Sequence, residues 1–246
     1  MINYYGNLCT EMYEILHEKA PEDELAFYLS YATSKMKIFE PLCGSGRFLI
    51  PFYESGFNIK GLDLSKEMLS KLTEKLPEAQ VTNVSLESYN PKEQFDYIFI
   101  SSGSVSLFTD MNICKSILQK IYTLLKKGGK FVFAVDTVAN KGQNEDEYKI
   151  IEKVKTRNGL DLVLKTKNIY NPTNKILYSP SIYELRDKEK IIKAESMDFQ
   201  IRLYELGELE EILYKIGFSE IKVYSSFSKK IAKDNNAEMF LYECQV

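Results

Sequence analysis

Histidine is nearly absent from this sequence: His17 is the one imidazole in 246 residues, so any mechanism that needs two histidines is excluded. The four cysteines, Cys9, Cys43, Cys114 and Cys244, are far apart and form no CxxC pair. This spacing argues against a zinc site and against a disulfide framework, and we predict no metal site. No apolar run approaches the roughly 18 residues that a transmembrane helix needs.

The amino-terminal stretch lacks the basic segment followed by an apolar core that is typical of a signal peptide. Basic residues are spread along the chain and the formal net charge is −3, whereas tight nucleic-acid binding usually needs a concentrated basic face. We therefore expect a cytoplasmic protein that binds neither membranes nor nucleic acid.

Short apolar runs alternate with amphipathic segments over the first half of the chain. Strands are predicted near residues 37–40, 58–62, 81–84, 95–100 and 130–135, with helices between them. This alternation is typical of an α/β fold, a doubly wound and mostly parallel sheet with helices on both faces. A helix that ends at Gly217 and two final strands bring the predicted sheet to seven strands.

The pattern changes after Asp136. Residues 138–204 contain no convincing amphipathic helix, and four strands are predicted near 150–157, 160–170, 175–186 and 190–203. Asn158-Gly159 is a strong signal for a hairpin turn. We expect an antiparallel β insert of residues 138–204 after the fifth strand, within a main domain of residues 1–137 and 205–246. The insert is a candidate roof for an acceptor site or a candidate homodimer interface.

A glycine turn follows the first predicted strand, in the segment Glu40-Pro-Leu-Cys-Gly-Ser-Gly46. Small residues let the backbone approach a ligand closely, and such a turn directs free N–H groups toward an anionic group. Asp63 ends the second predicted strand, where a carboxylate accepts hydrogen bonds from both hydroxyls of a ribose. No third glycine follows Gly46 at the spacing of the G-x-G-x-x-G pattern, which disfavours a nicotinamide cofactor.

Four segments, in this order, resemble the motifs of class I methyltransferases that depend on S-adenosyl-L-methionine (SAM). Residues 40–46 resemble motif I, residues 61–69 resemble motif II, residues 95–103 resemble motif IV, and residues 124–131 resemble the helix-turn-strand that follows it. The resemblance implies a Rossmann-like fold, SAM as the cofactor and S-adenosyl-L-homocysteine (SAH) as its product. The layout is closest to small-molecule members such as the glycine and amino-sugar N-methyltransferases.

The resemblance also implies roles for individual residues. Glu40 would orient the glycine turn or reach the amino group of the methionine moiety, and Asp63 would accept from both ribose hydroxyls. Cys43, Gly44 and Gly46 are implied in the glycine turn, with both glycines against the methionine and ribose. Leu64 and Met68 would pack on the adenine, with Ser85 and Leu86 at the edge of its ring. Ser101 and Ser102 would lie beside the methyl-transfer site.

The sequence departs from the family pattern in three places. Leu42 stands where the family usually has the first glycine of its loop, so we expect ordinary backbone dihedral angles there. Ser85-Leu86 falls where many members carry an acidic residue for the adenine amino group. The Asn-Pro-Pro-Tyr form of motif IV is absent, which disfavours methylation of adenine in DNA.

Tyr13 and Arg202 are the candidate catalytic residues. Tyr13 precedes the sheet, in a segment that folds over the cofactor in many relatives, so we hypothesise that it touches the cofactor or the acceptor; the alternative is a core aromatic. Arg202 would bind an acceptor carboxylate bidentately if it faces the cleft. We predict in-line methyl transfer to an N or O nucleophile of a small molecule. The alternatives are a non-catalytic SAM- or nucleotide-binding regulatory module and a methyltransferase that acts on RNA or protein.

Overall fold

The computed structural model describes residues 3–246. The helices α1 to α6 span Asn7–Leu16, Glu22–Leu29, Leu49–Glu54, Lys66–Lys75, Met111–Leu124 and Glu208–Ile216. The strands β1 to β12 span Lys37–Pro41, Asn58–Asp63, Val81–Asn83, Phe95–Ile100, Leu125–Asp136, Lys149–Lys155, Asp161–Thr166, Ile169–Asn171, Ile176–Asp187, Lys190–Arg202, Ser219–Tyr224 and Met239–Gln245. Short 3-10 helices at Ser104–Leu107 and Val138–Lys141 follow β4 and β5.

Seven strands form the first sheet, in the order β11-β12-β5-β4-β1-β2-β3. β1 is parallel to β2 and to β4, β4 is parallel to β5, and β12 is antiparallel to both of its neighbours. The winding direction reverses between β1 and β4, so the carboxyl ends of these strands open a crevice of the kind in which α/β sheets bind ligands. The predicted doubly wound, mostly parallel, Rossmann-like sheet is confirmed.

Strand β4 shows why this sheet is covered on both faces. Its residues 97–100 are fully buried, as its nearly continuous apolar run predicts. Tyr97 and Phe99 pack in one apolar cluster with side chains of α2, α3 and α4. Ile98 and Ile100 pack in the opposite cluster with α5 and α6. The helices thus enclose the sheet from two sides and leave its carboxyl edge for the site.

The second sheet contains the strands of the predicted antiparallel insert, in the order β10-β9-β7-β6, with the short β8 beside β9. The sequence predicted one strand over 160–170, but the structure divides it into β7 and β8. The cause is Asn168, whose carbonyl accepts from the Glu145 backbone N–H at 2.8 Å. The Asn168 N–H donates to the Glu145 side chain at 3.0 Å, so both of its backbone groups bond outside the sheet.

Residues 3–6, here called the N-terminal strap, join the two sheets. The Asn3 side-chain amide donates to the carbonyl of Leu107, after β4, at 3.1 Å and to that of Gln200, in β10, at 2.8 Å. The Tyr5 carbonyl accepts from Ser65 Oγ, after β2, at 2.7 Å. The strap therefore crosses the carboxyl edge of the first sheet. Within the described chain, none of the helices has the length and apolar character that crossing a membrane requires.

Candidate active site

A cavity of about 440 Å³ lies under the N-terminal strap at the carboxyl ends of β1, β2 and β4. Its volume is within the range of about 300–1,000 Å³ that is usual for small-molecule sites. The glycine turn after β1 contributes Gly44 and Arg47 to the wall, the end of β2 contributes Asp63, and the loop after β4 contributes Ser102. The motifs predicted to meet at one edge therefore do so.

Asp63 and Gly44 form the centre of this wall. Asp63 Oδ2 accepts from the Gly44 backbone N–H at 2.9 Å, and Oδ1 accepts from the Ser65 N–H at 2.8 Å. Burial raises the pKa of Asp63, although the hydrogen bonds from the backbone oppose that rise. A carboxylate has about four acceptor positions, so each oxygen keeps one for a further donor. The arrangement suits a ligand with two adjacent hydroxyls.

An apolar surface continues the cavity beyond Asp63. Leu64 is 47% exposed, which is unusual for a leucine, whereas Met68 and Leu86 are buried. All three line the cavity, as does Ser85, whose hydroxyl is hydrogen-bonded to Ser88 at 3.1 Å. A flat aromatic ring is the kind of group that such a surface accommodates.

The opposite end of the cavity carries Tyr13, His17 and Arg47. The ring centroid of Tyr13 lies 4.9 Å from that of His17 and 6.2 Å from that of Tyr5. Burial raises the pKa of Tyr13, whereas Arg47 opposes that rise. Burial, followed by the charge of Arg47, lowers the pKa of His17. This end therefore presents a guanidinium, a phenol and an imidazole whose neutral form is favoured.

The part of the chain that contains Gly44, Asp63 and Ser102 resembles a known protein family. A family model described as a methyltransferase domain matches residues 38–129. The chain is 28% identical over 129 residues to the putative methyltransferase YqeM of Bacillus subtilis, and this match covers 50% of the chain and 52% of that protein. The chain thus spans about half the length of the curated relatives that it matches.

Solved structures of similar fold extend over nearly the whole chain. A SAM-dependent methyltransferase from Clostridium acetobutylicum has a TM-score of 0.78 at 18% identity, and 96% of each chain is covered. The sugar N-methyltransferase KedS8 from Streptoalloteichus has a TM-score of 0.73 at 15% identity, with 98% of this chain and 96% of that chain covered. Residues 38–129 thus resemble a methyltransferase domain, and the whole chain shares the fold of these methyltransferases. Both findings agree with the resemblance predicted from motifs I, II and IV.

Several predicted residues lie outside the cavity wall: Glu40, Cys43, Gly46 and Ser101. Glu40 is 1% exposed, its Oε1 accepts from Ser101 Oγ at 3.4 Å, and its Oε2 has no hydrogen-bond partner among residues 3–246. Burial holds the pKa of Glu40 well above its usual range. The protonated form is therefore favoured until a cationic group comes near.

Gly46 packs against two helices and does not line the cavity. Its φ is +85°, and an added Cβ would lie 2.8 Å from Leu72 Cγ and 3.1 Å from two carbons of Ile50. Gly46 therefore permits α3 and α4 to pack closely and does not face the ligand. An added Cβ at Gly44, whose φ is +53°, meets no atom within 4 Å, so Gly44 is the glycine with space in front of it.

Leu42 corrects a second prediction, since its φ is +60° and not an ordinary value. A side chain in this left-handed conformation costs roughly 1–2 kcal/mol. The next residue, Cys43, donates its N–H to the carbonyl of Leu62 at 3.1 Å, which holds the turn against β2. The turn thus places in the left-handed region a leucine that lines the cavity, a conformation that a glycine would adopt at lower cost.

Arg202 does not line the cavity. Its guanidinium donates to the carbonyl of Asn174, lies 3.6 Å from the Glu208 carboxylate and packs 5.3 Å from the ring centroid of Tyr204. The side chain is only 13% exposed. These contacts tie β10 to α6, so the candidate role in acceptor binding is wrong and Arg202 is structural.

Sequence reasoning missed two carboxylates beside the tip of β4. Glu24 in α2 is 5% exposed and accepts from the Ser102 N–H at 2.8 Å. Burial raises its pKa. Asp136 ends β5, where burial raises its pKa to about 6, and its Oδ2 lies 2.7 Å from the position that a Cβ on Gly103 would occupy. Glu24 stands in an acidic first helical turn, a pattern that usually indicates a solvated helix end.

Proposed function

We propose that this protein is an enzyme that transfers a methyl group from SAM to an N or O nucleophile of a small molecule and releases SAH. The observation that carries the proposal is the pairing of Gly44 with Asp63 at the wall of the cavity. This pairing lies in the segment that matches the methyltransferase family model.

The residues around the cavity fit SAM. Asp63 would accept from the two ribose hydroxyls, and Leu64, Met68 and Leu86 would pack on the adenine, with Ser85 at its edge. Arg47 would hold the carboxylate of the methionine moiety. The positive charge of SAM also meets three carboxyls whose pKa values burial raises, those of Glu24, Glu40 and Asp63. A cation beside them favours their ionised forms.

A small acceptor is supported by the cover over the cavity. The strap bonds to Leu107, Gln200 and Ser65 and so covers part of the cavity. The formal net charge of −3 does not favour a nucleic-acid substrate. The name of KedS8 as a sugar N-methyltransferase points in the same direction. The roles of the insert as an acceptor-site roof or homodimer interface, and the cytoplasmic location, stay predictions.

SAM supplies a methyl group on a positively charged sulfur, which an aligned nucleophile displaces in line. The chain would contribute alignment and a site sheltered from bulk water, and alignment alone supplies on the order of 7–11 kcal/mol in favourable model systems. Tyr13, His17 and Ser102 are among the polar side chains that line the cavity. A neutral amine attacks without a general base, whereas a hydroxyl must lose its proton.

The test is calorimetric titration of the protein with SAM and SAH, followed by an acceptor screen that detects SAH formation. Matched pairs such as glycine with glycolate, and glucosamine with glucose, separate N from O nucleophiles. Binding of both ligands and turnover with a small acceptor are expected. Binding without turnover on any small molecule, peptide or RNA would favour the regulatory module, and absence of binding would overturn the proposal.

A further inference from the structure

Ser102 stands at the wall of the cavity with its backbone in an unusual conformation. Its φ is +53°, in the left-handed region that a serine rarely adopts, and the next residue, Gly103, has a φ of +67°. The Ser102 side chain is exposed, so its conformation is not forced by packing around it. Strain of this kind persists where surrounding contacts fix the backbone.

The contact that fixes Ser102 comes from outside the sheet. Glu24 Oε1, on α2, accepts from the Ser102 backbone N–H at 2.8 Å and from its hydroxyl at the longer distance of 3.4 Å. Glu24 is 5% exposed, so this carboxylate is withdrawn from water. A hydroxyl has one proton and two acceptor positions. Because the proton of Ser102 is directed at Glu24, its lone pairs are left for the cavity.

Burial raises the pKa of Glu24, and the charge of Asp23 on the same helix adds to that rise. The hydrogen bonds from Ser102 and the charge of Arg47 oppose it. The charge of Glu24 in turn adds to the rise that burial causes in the pKa values of Glu40 and Tyr13. A bound SAM cation would add a second positive charge at this end of the cavity.

We propose that Ser102 Oγ accepts a hydrogen bond from the N–H or O–H of the attacking nucleophile, and that Glu24 is a positioning residue that holds Ser102 in this orientation. The inference rests on the proposed function. It narrows the acceptor to a primary or secondary amine or a hydroxyl, since a tertiary amine or a thioether has no hydrogen to donate. Ser102 would direct the lone pair of the nucleophile toward the methyl carbon.

Methyl transfer from SAM to the nucleophile requires no oxidant or reductant. For an amine, the nitrogen lone pair forms the N–C bond as the C–S bond breaks, and the electron pair of that bond returns to sulfur. The sulfur becomes a neutral thioether in SAH, and the nitrogen becomes an ammonium that later gives one proton to water. Ser102 exchanges no proton in this step, so its contribution is orientation.

The test uses ligands that require no known acceptor. Sinefungin is a SAM analogue with an amine in place of the methylsulfonium group, so its N–H bonds lie where the nucleophile would meet Ser102. Calorimetry compares the affinities of sinefungin, SAM and SAH for the wild type and for Ser102→Ala, Glu24→Gln and the double variant. Glu22→Gln, an exposed carboxylate of the same helical turn, is the matched control.

Ser102→Ala is expected to weaken sinefungin about tenfold relative to SAM and SAH, the loss of one hydrogen bond to a charged group. Glu24→Gln is expected to act in the same direction, since Glu24 Oε1 accepts from both the N–H and the hydroxyl of Ser102, and the neutral amide oxygen of glutamine holds these donors less strongly than a carboxylate. In the Ser102→Ala background Glu24→Gln should have no further effect on the ratio of sinefungin to SAM affinity. Hydrogen exchange of the peptide that contains Ser102 should also be faster in ligand-free Glu24→Ala than in Glu22→Gln.

Two results would overturn the inference. One is an equal change in the affinities of sinefungin, SAM and SAH in Ser102→Ala, which would show that Ser102 makes no specific contact at the methyl end of the ligand. The other is full additivity of Glu24→Gln and Ser102→Ala. If the wild type binds none of the three ligands, the proposed function itself fails, so the two failures are distinguishable.

Discussion

The backbone N–H of Gly44 donates to Asp63 Oδ2 across 2.9 Å, so the turn after β1 is hydrogen-bonded to the carboxylate that ends β2. One side chain thereby both fixes the shape of the glycine turn and faces the cavity. Removal of this carboxylate should affect ligand binding and the geometry of the turn together.

Asp63→Ala is expected to weaken SAM binding by at least tenfold. The variant loses charge-assisted hydrogen bonds to the ribose, each of which contributes about 1.5–3 kcal/mol. Titration calorimetry measures the effect, and Asp146→Asn, which changes an exposed acidic residue of the loop before β6, is the control. An unchanged dissociation constant for Asp63→Ala would contradict the assignment of Asp63 to the ribose.

The two glycines of the turn should respond differently to alanine. Gly46→Ala forces contacts of 2.8 Å with Leu72 and 3.1 Å with Ile50, and should lower the free energy of unfolding by about 2–4 kcal/mol. Gly44→Ala meets no atom within 4 Å, so its stability cost should be only the roughly 1–2 kcal/mol of its left-handed backbone. Its added methyl should instead weaken SAM binding. Denaturant unfolding with calorimetry on both variants separates these effects, and equal losses of stability would contradict the prediction.

Tyr13→Phe tests whether the phenol at the cavity wall acts on the ligand. The hydroxyl lies close enough to Arg47 to feel its charge, so its loss should weaken SAM binding or lower kcat/KM by about tenfold. Tyr53→Phe, a half-exposed tyrosine of α3, provides the matched control. Unchanged SAM affinity together with unchanged turnover would assign Tyr13 to the core only.

Asp136 should make stability depend on pH. Burial raises its pKa from the ordinary 3.8 to about 6, so between these values the folded protein binds more protons than the unfolded chain. Stability from this group therefore falls as pH rises through that window. Between pH 4 and pH 6, the free energy of unfolding of Asp136→Asn should rise relative to that of the wild type by at most about 3 kcal/mol. Above pH 6 the difference between the two proteins should stay constant. Chemical denaturation across pH measures it, with Asp146→Asn as the control; a flat difference would contradict the prediction.

Arg202→Met should separate structure from function. The variant loses the hydrogen bond to Asn174 and the contact with Glu208, and it should lower the free energy of unfolding by about 1–3 kcal/mol. SAM affinity should stay within twofold because Arg202 does not line the cavity. Arg157→Met, at an exposed hairpin turn, should change neither quantity. A large loss of SAM affinity in Arg202→Met would contradict this prediction and assign Arg202 to ligand binding.

The placement of Gly44 and Asp63 could be predicted because strand ends depend on local pattern. An apolar run followed by a glycine or an acidic residue marks where a parallel strand stops, and parallel strands stop at one edge. The resemblance to the methyltransferase motifs, and not the strand pattern, implied roles for Ser102, Leu64, Met68 and Leu86, all of which line the cavity with Asp63.

The errors arose where contacts between distant parts of the chain decide the outcome. The backbone of Leu42 is set by pairing with β2, and the position of Gly46 is set by the approach of Leu72. Glu24 is 78 positions from Ser102, and no periodicity links an acidic helical turn to a strand tip that far along the chain. Arg202 lies on β10, where the alternation of side chains predicts which face of the sheet a residue is on. The alternation does not predict which other element packs against that face.

The bonds between Asn3 and Gln200 also have a consequence for the order of folding. Asn3 Nδ2 donates to the Gln200 carbonyl at 2.8 Å, and the Gln200 N–H donates back to Asn3 Oδ1 at 2.8 Å, across a separation of 197 positions. Closing a loop of that size carries an entropic cost that is offset only when β10 is in place. During synthesis on the ribosome, the strap would therefore be tied to the second sheet only after β10 has emerged, whereas its bonds to Leu107 and Ser65 need no part of that sheet.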